Sequence, residues 1–244
     1  MLPKIMPISK LVTLPISQKE VRVYAFKIAE EKILLLNKNS SEEELEDVLI
    51  ELIQSKTEDV NVRSLTIVDI IVLLINIVDI SRGLTRHFTY KCNKPMEDGK
   101  KSGTLIELDV DMANYSISNA SENHKLVRVS DDIVCELEYP SYEEIRSLSP
   151  YKEDENEYIM RLYSKLIGAI YHGDDVHTDF TDEEVYEWAL DLPHKALKEF
   201  EDFVMSIPTI TVEYDVRCPK CGTTDHYKVN NIIDFFIYDT QTKM

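Results

Sequence analysis

Apolar positions along the chain change period several times, and each change predicts an element. Leu11–Leu14 and Val21–Phe26 are short β-type runs separated by Pro15–Glu20, which predicts a hairpin or a pair of extended segments. Ala29–Leu36 is a short helix candidate. Ser41 with Glu44 three residues on makes a capping box, after which Leu45, Val48, Leu49, Leu52 and Ile53 recur on one helical face. Leu65–Ile80 is rich in isoleucine and valine, so propensity alone favours a strand. Its polar residues point the other way. Asp69, Asn76 and Asp79 lie seven and three residues apart and form one narrow stripe on a helix that is otherwise apolar. The segment is expected to be a buried central helix ending at Arg82-Gly83.

Strands are predicted at Thr85–Cys92, Thr104–Val110, Lys125–Val129 and Ile133–Glu138. In the second of these, Ile106, Leu108 and Val110 alternate with Leu105, Glu107 and Asp109, giving one apolar face. Glu97–Gly103 and Asn114–Asn123 have loop composition. Ser141 with Glu144 and Thr181 with Glu184 are further capping boxes. Ile159, Leu162, Tyr163, Leu166, Ile167 and Ile170 predict one helix running to His172-Gly173, and Leu197, Phe200, Phe203, Val204 and Ile207 predict another, closed by Pro208. Thr209–Val216 alternates as a strand, Cys218–Gly222 turns the chain, and Tyr227–Tyr238 returns it. The expected class is α+β. It is mainly helical, with a small mostly antiparallel sheet and a C-terminal zinc-ribbon-like β-hairpin carrying the CPKC segment. Residues 1–244 are expected to form a single domain. A weak sub-boundary near residue 140 would divide a helix/strand N-terminal part from a helical C-terminal part.

Charge narrows the function. With 27 Lys+Arg against 45 Asp+Glu, the net charge is −18, which opposes general nucleic-acid binding and docking on anionic membranes. Hydrophobic residues at 43% place the chain among globular proteins. Six glycines make a glycine-rich phosphate cradle or a turn-rich barrel an unfavoured reading. Four cysteines are too few for a disulfide scaffold of this size. The longest apolar stretch, Ile70–Val78, is broken by Asn76 and falls short of the roughly 20 residues of a membrane span. The N-terminus lacks the apolar core of a signal peptide, so a soluble intracellular chain is expected. Between Ser141 and Met205 there are 17 acidic and 6 basic residues. The simpler reading is a solvated helical surface, and the sharper one is an acidic docking face for a basic partner.

Cys218-Pro-Lys-Cys-Gly222 is the most motif-like segment, because two thiolates separated by two residues on a tight turn can share one tetrahedral zinc. No second CxxC exists. Cys92-Asn-Lys-Pro95 has the placement of a first knuckle, but proline occupies its second ligand position. Cys92 is the added metal candidate beside Cys218 and Cys221, and His226, His87 or Cys135 are candidates to complete the shell. A knuckle that keeps its turn without metal is the favoured reading, so no cofactor is expected; bound zinc and a redox dithiol are the alternatives. His172-Gly-Asp-Asp-Val-His177 reads as a plain acidic loop rather than a metal cluster. Asp69, Asn76 and Asp79 read as one partly exposed stripe or a hydrogen-bonded polar network rather than buried catalytic groups. No nucleophile-elbow, HExxH, Walker or dinucleotide pattern is present, so no enzymatic activity is expected.

Taken in order, VTLPISQKEVRVYAFKIAEEKILLL, SEEELEDVLIELIQSKT, LTIVDIIVLLINIVDISRG, FTYKCNKP, VCELEYPSYEEI, IYHGDDVHTDFTDEEVYEWALDLP, FVMSIPTITVEYDVRCPKCG and IIDFF resemble the baseplate hub assembly proteins of T-even-type contractile-tailed bacteriophages. The likeness covers about Leu11 to Phe236 and is carried by order and spacing. It implies a non-enzymatic assembly factor or minor component of the baseplate hub. Its implied partners are other phage tail or hub proteins, with the oligomeric state left open. Its implied location is the host cytoplasm during assembly, or the tail baseplate of the virion. No catalytic residue is carried over. The candidate partner-binding residues are Asp174, Asp175 and Asp179 in the acidic stretch, and Phe235 and Phe236 as an aromatic anchor near the C-terminus. A zinc-ribbon regulatory or nucleic-acid-binding protein is the alternative, and the balance of Glu213, Asp215 and Asp225 against Arg217, Lys220 and Lys228 weighs against it.

Overall fold

The computed structural model describes residues 3, 5–37, 40–96, 99–118 and 124–236. In chain order the helices are α1 (Ile28–Leu36), α2 (Glu42–Ser55), α3 (Ile67–Arg82), α4 (Tyr142–Ser147), α5 (Glu155–Lys165), α6 (Asp182–Leu190), α7 (His194–Ser206) and α8 (Ile232–Phe236). The strands are β1 (Ser9–Thr13), β2 (Glu20–Tyr24), β3 (Thr85–Lys91), β4 (Leu105–Asp111), β5 (Ser116–Ile117), β6 (His124–Arg128), β7 (Ile133–Glu138), β8 (Ile167–His172), β9 (Asp175–His177), β10 (Ile210–Arg217) and β11 (Thr224–Val229). The class is α+β, but the strands form several small antiparallel sheets rather than one. Two compact units are present: Met1–Val62, Val68–Ile117 and Thr209–Met244 in the first, Arg63–Ile67 and Ser118–Pro208 in the second. The division does not fall near residue 140. Pro140 follows Tyr139, whose ring stacks on Phe203 at 5.0 Å within the second unit.

In the first unit, β1 and β2 form the expected hairpin, in register from Ser9↔Tyr24 to Thr13↔Glu20. The Ser41/Glu44 capping box is formed at α2, whose Leu45, Leu49, Ile50, Leu52 and Ile53 are buried. The Ile/Val-rich segment is the helix α3, and Val68 through Ile75, Ile77 and Val78 are all buried. Its polar stripe runs from a buried end at Asp69 to an exposed end at Asp79. Asp69 is fully buried, and its two carboxylate oxygens accept from the amides of Ile16 and Ser17, each at 2.9 Å. Asn76 donates to the Val72 carbonyl at 2.8 Å, and Asp79 pairs with Lys10 at 3.3 Å. The predicted return strand Tyr227–Tyr238 stops at Val229. Asn231 then caps the short helix α8 by accepting from the Ile233 amide at 2.7 Å. Residues 114–123 were expected to be loop throughout, yet Ser116–Ile117 pairs with β10, Ile117 opposite Ile210.

In the second unit, β6-β7-β8-β9 form an antiparallel sheet whose core is shared with α5 to α7. The capping boxes Ser141/Glu144 and Thr181/Glu184 are both formed. The helix expected from Ile159 to Ile170 is two elements. α5 ends at Lys165, and Ile167 onward is the strand β8, paired with β7 from Ile133↔His172 to Leu137↔Ile167. The apolar residues Leu166, Ile167 and Ile170 fit both periods. Gly168 breaks the tie, since glycine weakens a helix interior and here lies under the Glu138 side chain, which a Cβ would meet at 2.7 Å. The acidic segment read as a loop is the tip of a β8–β9 hairpin, turned by Gly173 at φ +60.

Candidate functional site

Two hairpins of the first unit bring the sequence-predicted metal residues together. β3 pairs with β4 and β10 with β11. Aromatic rings join the pairs: Phe88 stacks on Tyr214 at 5.5 Å, Tyr214 on Tyr227 at 5.7 Å, and Tyr90 meets Tyr227 edge-on at 5.1 Å. Asp225 adds a polar lock, accepting from the Tyr90 hydroxyl at 2.8 Å and pairing with Lys94 at 2.9 Å. Cys92 directly follows β3, and Cys218–Cys221 span the turn after β10, so the lock sets the two loops side by side. The CPKC turn is closed by the Cys218 amide on the Thr223 carbonyl at 2.8 Å and the Gly222 amide on the Cys218 carbonyl at 2.9 Å. Gly222 holds φ +73, a left-handed conformation that favours glycine.

The result is one cluster. The sulfurs of Cys92, Cys218 and Cys221 all lie within 4.8 Å of one another, and Cys92 Sγ is 3.6 Å from Cys221 Sγ. Cys92 and Cys218 are buried, and Cys221 is half-buried. Ser102, which composition placed in a loop and nothing in the sequence tied to the cysteines, is also buried. Its Oγ stands 3.4 Å from Cys218 Sγ and 2.9 Å from Thr104 Oγ1. The Ser102 hydroxyl, the Cys221 amide and the Lys220 amide hold the Cys218 thiol down at about 6. At Cys92 the Lys94 amide pulls the same way, but burial and the neighbouring Cys218 and Cys221 outweigh it and raise that thiol.

None of the three proposed completing residues joins this cluster. His87 pairs with Asp109 and His226 with Asp215, each at 2.9 Å. Cys135 is buried in the core of the second unit, where burial pushes its thiol up to about 12.

The acidic candidates lie in the second unit. Asp174, Asp175 and Asp179 are all exposed at or after the β8–β9 tip. Three further acids of the stretch are tied down: Asp182 pairs with Lys165 at 2.5 Å, Glu183 with Arg161 at 3.4 Å, and Glu184 completes the α6 capping box. Among the described residues, Asp174, Asp175 and Asp179 have no such partner. Asp179 lines a groove of about 350 Å³ together with Ile133, Ile170, His172, His177, Phe180 and Trp188, and Asp174 and Asp175 lie on the hairpin tip between His172 and His177. Sequence reasoning missed this groove, because its walls come from three strands and a helix separated in sequence. The C-terminal aromatic anchor is corrected for Phe235. It is 2% exposed, and its carbonyl faces Arg86 at 3.5 Å, so it packs in the first unit instead of standing free. The Phe236 side chain and Tyr238 lie outside the described residues.

The model of a family described as T4 bacteriophage base plate protein matches residues 6–237. The chain belongs to this family. Membership makes it a phage baseplate protein, implies partners among phage tail and baseplate proteins, and suggests the virion tail baseplate as its location. No curated protein and no solved structure matches it. Among the described residues, no helix is long and apolar enough to cross a membrane.

Proposed function

We propose that this baseplate family member is a non-enzymatic assembly factor or minor component of the baseplate hub, and that it works through protein–protein contacts in the host cytoplasm as tails are built. Family membership over nearly the whole chain carries the reading. The working face is the tip of the second unit: Asp174, Asp175 and Asp179 beside the groove that holds Trp188. Carboxylates left without cations repel one another, and a basic segment of a partner relieves that repulsion on docking. The groove supplies the apolar and aromatic contacts that such a segment needs for more than transient attraction. Nucleic acid is not a partner in this reading. Near the CPKC turn, Lys94 is paired with Asp225 and Lys228 lies 3.9 Å from Glu213, so these lysines are committed to carboxylates and not to a phosphate-binding stripe.

The test uses the full chain as bait in phage-infected cells, alongside a variant carrying Asp174→Asn, Asp175→Asn and Asp179→Asn. The native chain is expected to capture baseplate hub proteins. The variant is expected to keep its circular dichroism spectrum, lose most of that capture and fail to support normal tails. Trp188 is the only tryptophan of the chain, so quenching of its fluorescence by a captured partner reports docking at the groove directly. Normal tails from a folded triple variant would move the working face elsewhere, and a catch without tail proteins would remove the assembly role itself.

A further inference from the structure

We propose that Cys92, Cys218 and Cys221 bind one zinc ion through three thiolates, with the fourth position, next to the Ser102 hydroxyl, left to a water molecule. The spacing fits. A tetrahedral zinc with Zn–S bonds of about 2.3 Å sets its sulfurs roughly 3.8 Å apart. Cys92 and Cys221 are 3.6 Å apart, and all three sulfurs fall within 4.8 Å, so only small side-chain shifts bring them onto a common ion.

The loops are built as a matched pair. Backbone amides aim at sulfur in both: that of Lys94 at Cys92, and those of Lys220 and Cys221 at Cys218. Such N–H groups orient thiolates and offset their charge, as the outer shell of a metal site does. The Cys92 loop is fixed independently of any ligand, by the Cys92 amide on the Thr104 carbonyl at 2.9 Å and the Ser102 amide on the Lys94 carbonyl at 2.9 Å. Two segments 129 residues apart are thus held ready by backbone bonds and the aromatic lock.

A disulfide accounts for only two of the three cysteines, whereas one zinc uses all of them. Soft thiolates select zinc, copper(I) or iron–sulfur clusters, and a single tetrahedral site on two tight turns is zinc geometry. On binding, every S–H still present gives its proton to solvent and one Zn²⁺ joins three thiolates, leaving the site at −1. The Lys220 ammonium, donating to the Ser102 carbonyl at 3.3 Å, stands beside that charge. Pro95, which occupies the second position of the Cys92 turn, explains why the fourth ligand is not a protein sulfur.

The experiment uses the full chain purified under reductant, loaded with zinc or cobalt(II), and freed of excess metal. One zinc per chain is expected, and the cobalt form should show tetrahedral d–d bands with thiolate-to-cobalt charge transfer. Cys92→Ser, Cys218→Ser and Cys221→Ser should each weaken binding at least about tenfold, while Cys135→Ser leaves it unchanged. Because the serine variants can lose metal by unfolding, Ser102→Cys supplies the converse test. A fourth thiolate next to Cys218 should tighten binding at least about tenfold and add charge-transfer intensity. Substoichiometric zinc in a folded, reduced chain overturns the site. So does an iron–sulfur spectrum without zinc, or a Ser102→Cys variant that binds no more tightly. These readouts do not involve tail proteins, so they stand or fall separately from the docking face.

Discussion

Replacing Asp69 by alanine is expected to lower the unfolding free energy by about 3–5 kcal/mol, although the side chain is polar and touches no ligand. The carboxylate sits fully buried on α3 and accepts from the amides of Ile16 and Ser17, each at 2.9 Å. Those amides belong to the turn between β1 and β2, which the Leu14 amide on the Lys19 carbonyl at 2.9 Å and the Gln18 amide on the Leu14 carbonyl at 3.1 Å close without using them. Alanine removes both acceptors, taking this partner from the buried Ile16 amide and the half-buried Ser17 amide, which is the costly direction of hydrogen-bond loss. Asp69→Asn keeps one oxygen but turns an NH₂ group toward the other amide, so an intermediate loss is expected. Denaturant unfolding followed by circular dichroism measures the difference, and hydrogen exchange at Ile16 and Ser17 locates it. If the alanine variant loses less than about 1 kcal/mol and these amides stay protected, the carboxylate is not what holds the turn.

The same residue shows where sequence reading reaches its limit. Asp69, Asn76 and Asp79 correctly marked α3 as a helix, because their spacing is helical whatever they bond to. The pattern did not say which of them is buried, since the acceptor's partners, Ile16 and Ser17, are more than fifty residues away. Local signals held well. The capping boxes at Ser41, Ser141 and Thr181 all formed, because each is closed within four residues by its own side chains. The errors fall where two periods share the same apolar residues. Leu166, Ile167 and Ile170 satisfy a helix and a strand alike, and pairing with β7 decided for the strand. The C-terminal return was cut short by Asn231, whose side chain offers the chain a cap in place of further ladder bonds.

The candidate site was legible in part for the same reason. Cys218 and Cys221 announce themselves by spacing, and Cys92 by its place before Pro95. Ser102 was invisible, because its role depends on the packing of two hairpins through Phe88, Tyr90, Tyr214 and Tyr227. His87, His226 and Cys135 were plausible by residue type alone, and strand register sent each elsewhere. His226, for example, lies opposite Asp215 on β10 and pairs with it there.

Phe200→Ala is expected to cost the second unit about 3–5 kcal/mol. Phe200 is fully buried on α7 and meets the Tyr163 ring edge-on at 5.9 Å. It belongs to one buried core with Cys135, Leu137, Val185, Ala189, Ala196 and Phe203, contributed by β7, α6 and α7. Two members of this core are alanines, whose side chains have no length to swing into the space a lost ring leaves. A cavity therefore persists, and the edge-to-face contact, worth about 0.5–1.5 kcal/mol in its own right, goes with the ring. Glu201, next in sequence but exposed, provides the contrast: Glu201→Ala should change stability by no more than about 0.5 kcal/mol. Trp188 packs against the same core, so its fluorescence follows the unfolding of this unit without a label. A Phe200→Ala variant whose Trp188 transition stays with that of the native chain would mean the sheet β6–β9 and α5–α7 are held together by other contacts, with Phe200 outside the centre of the packing.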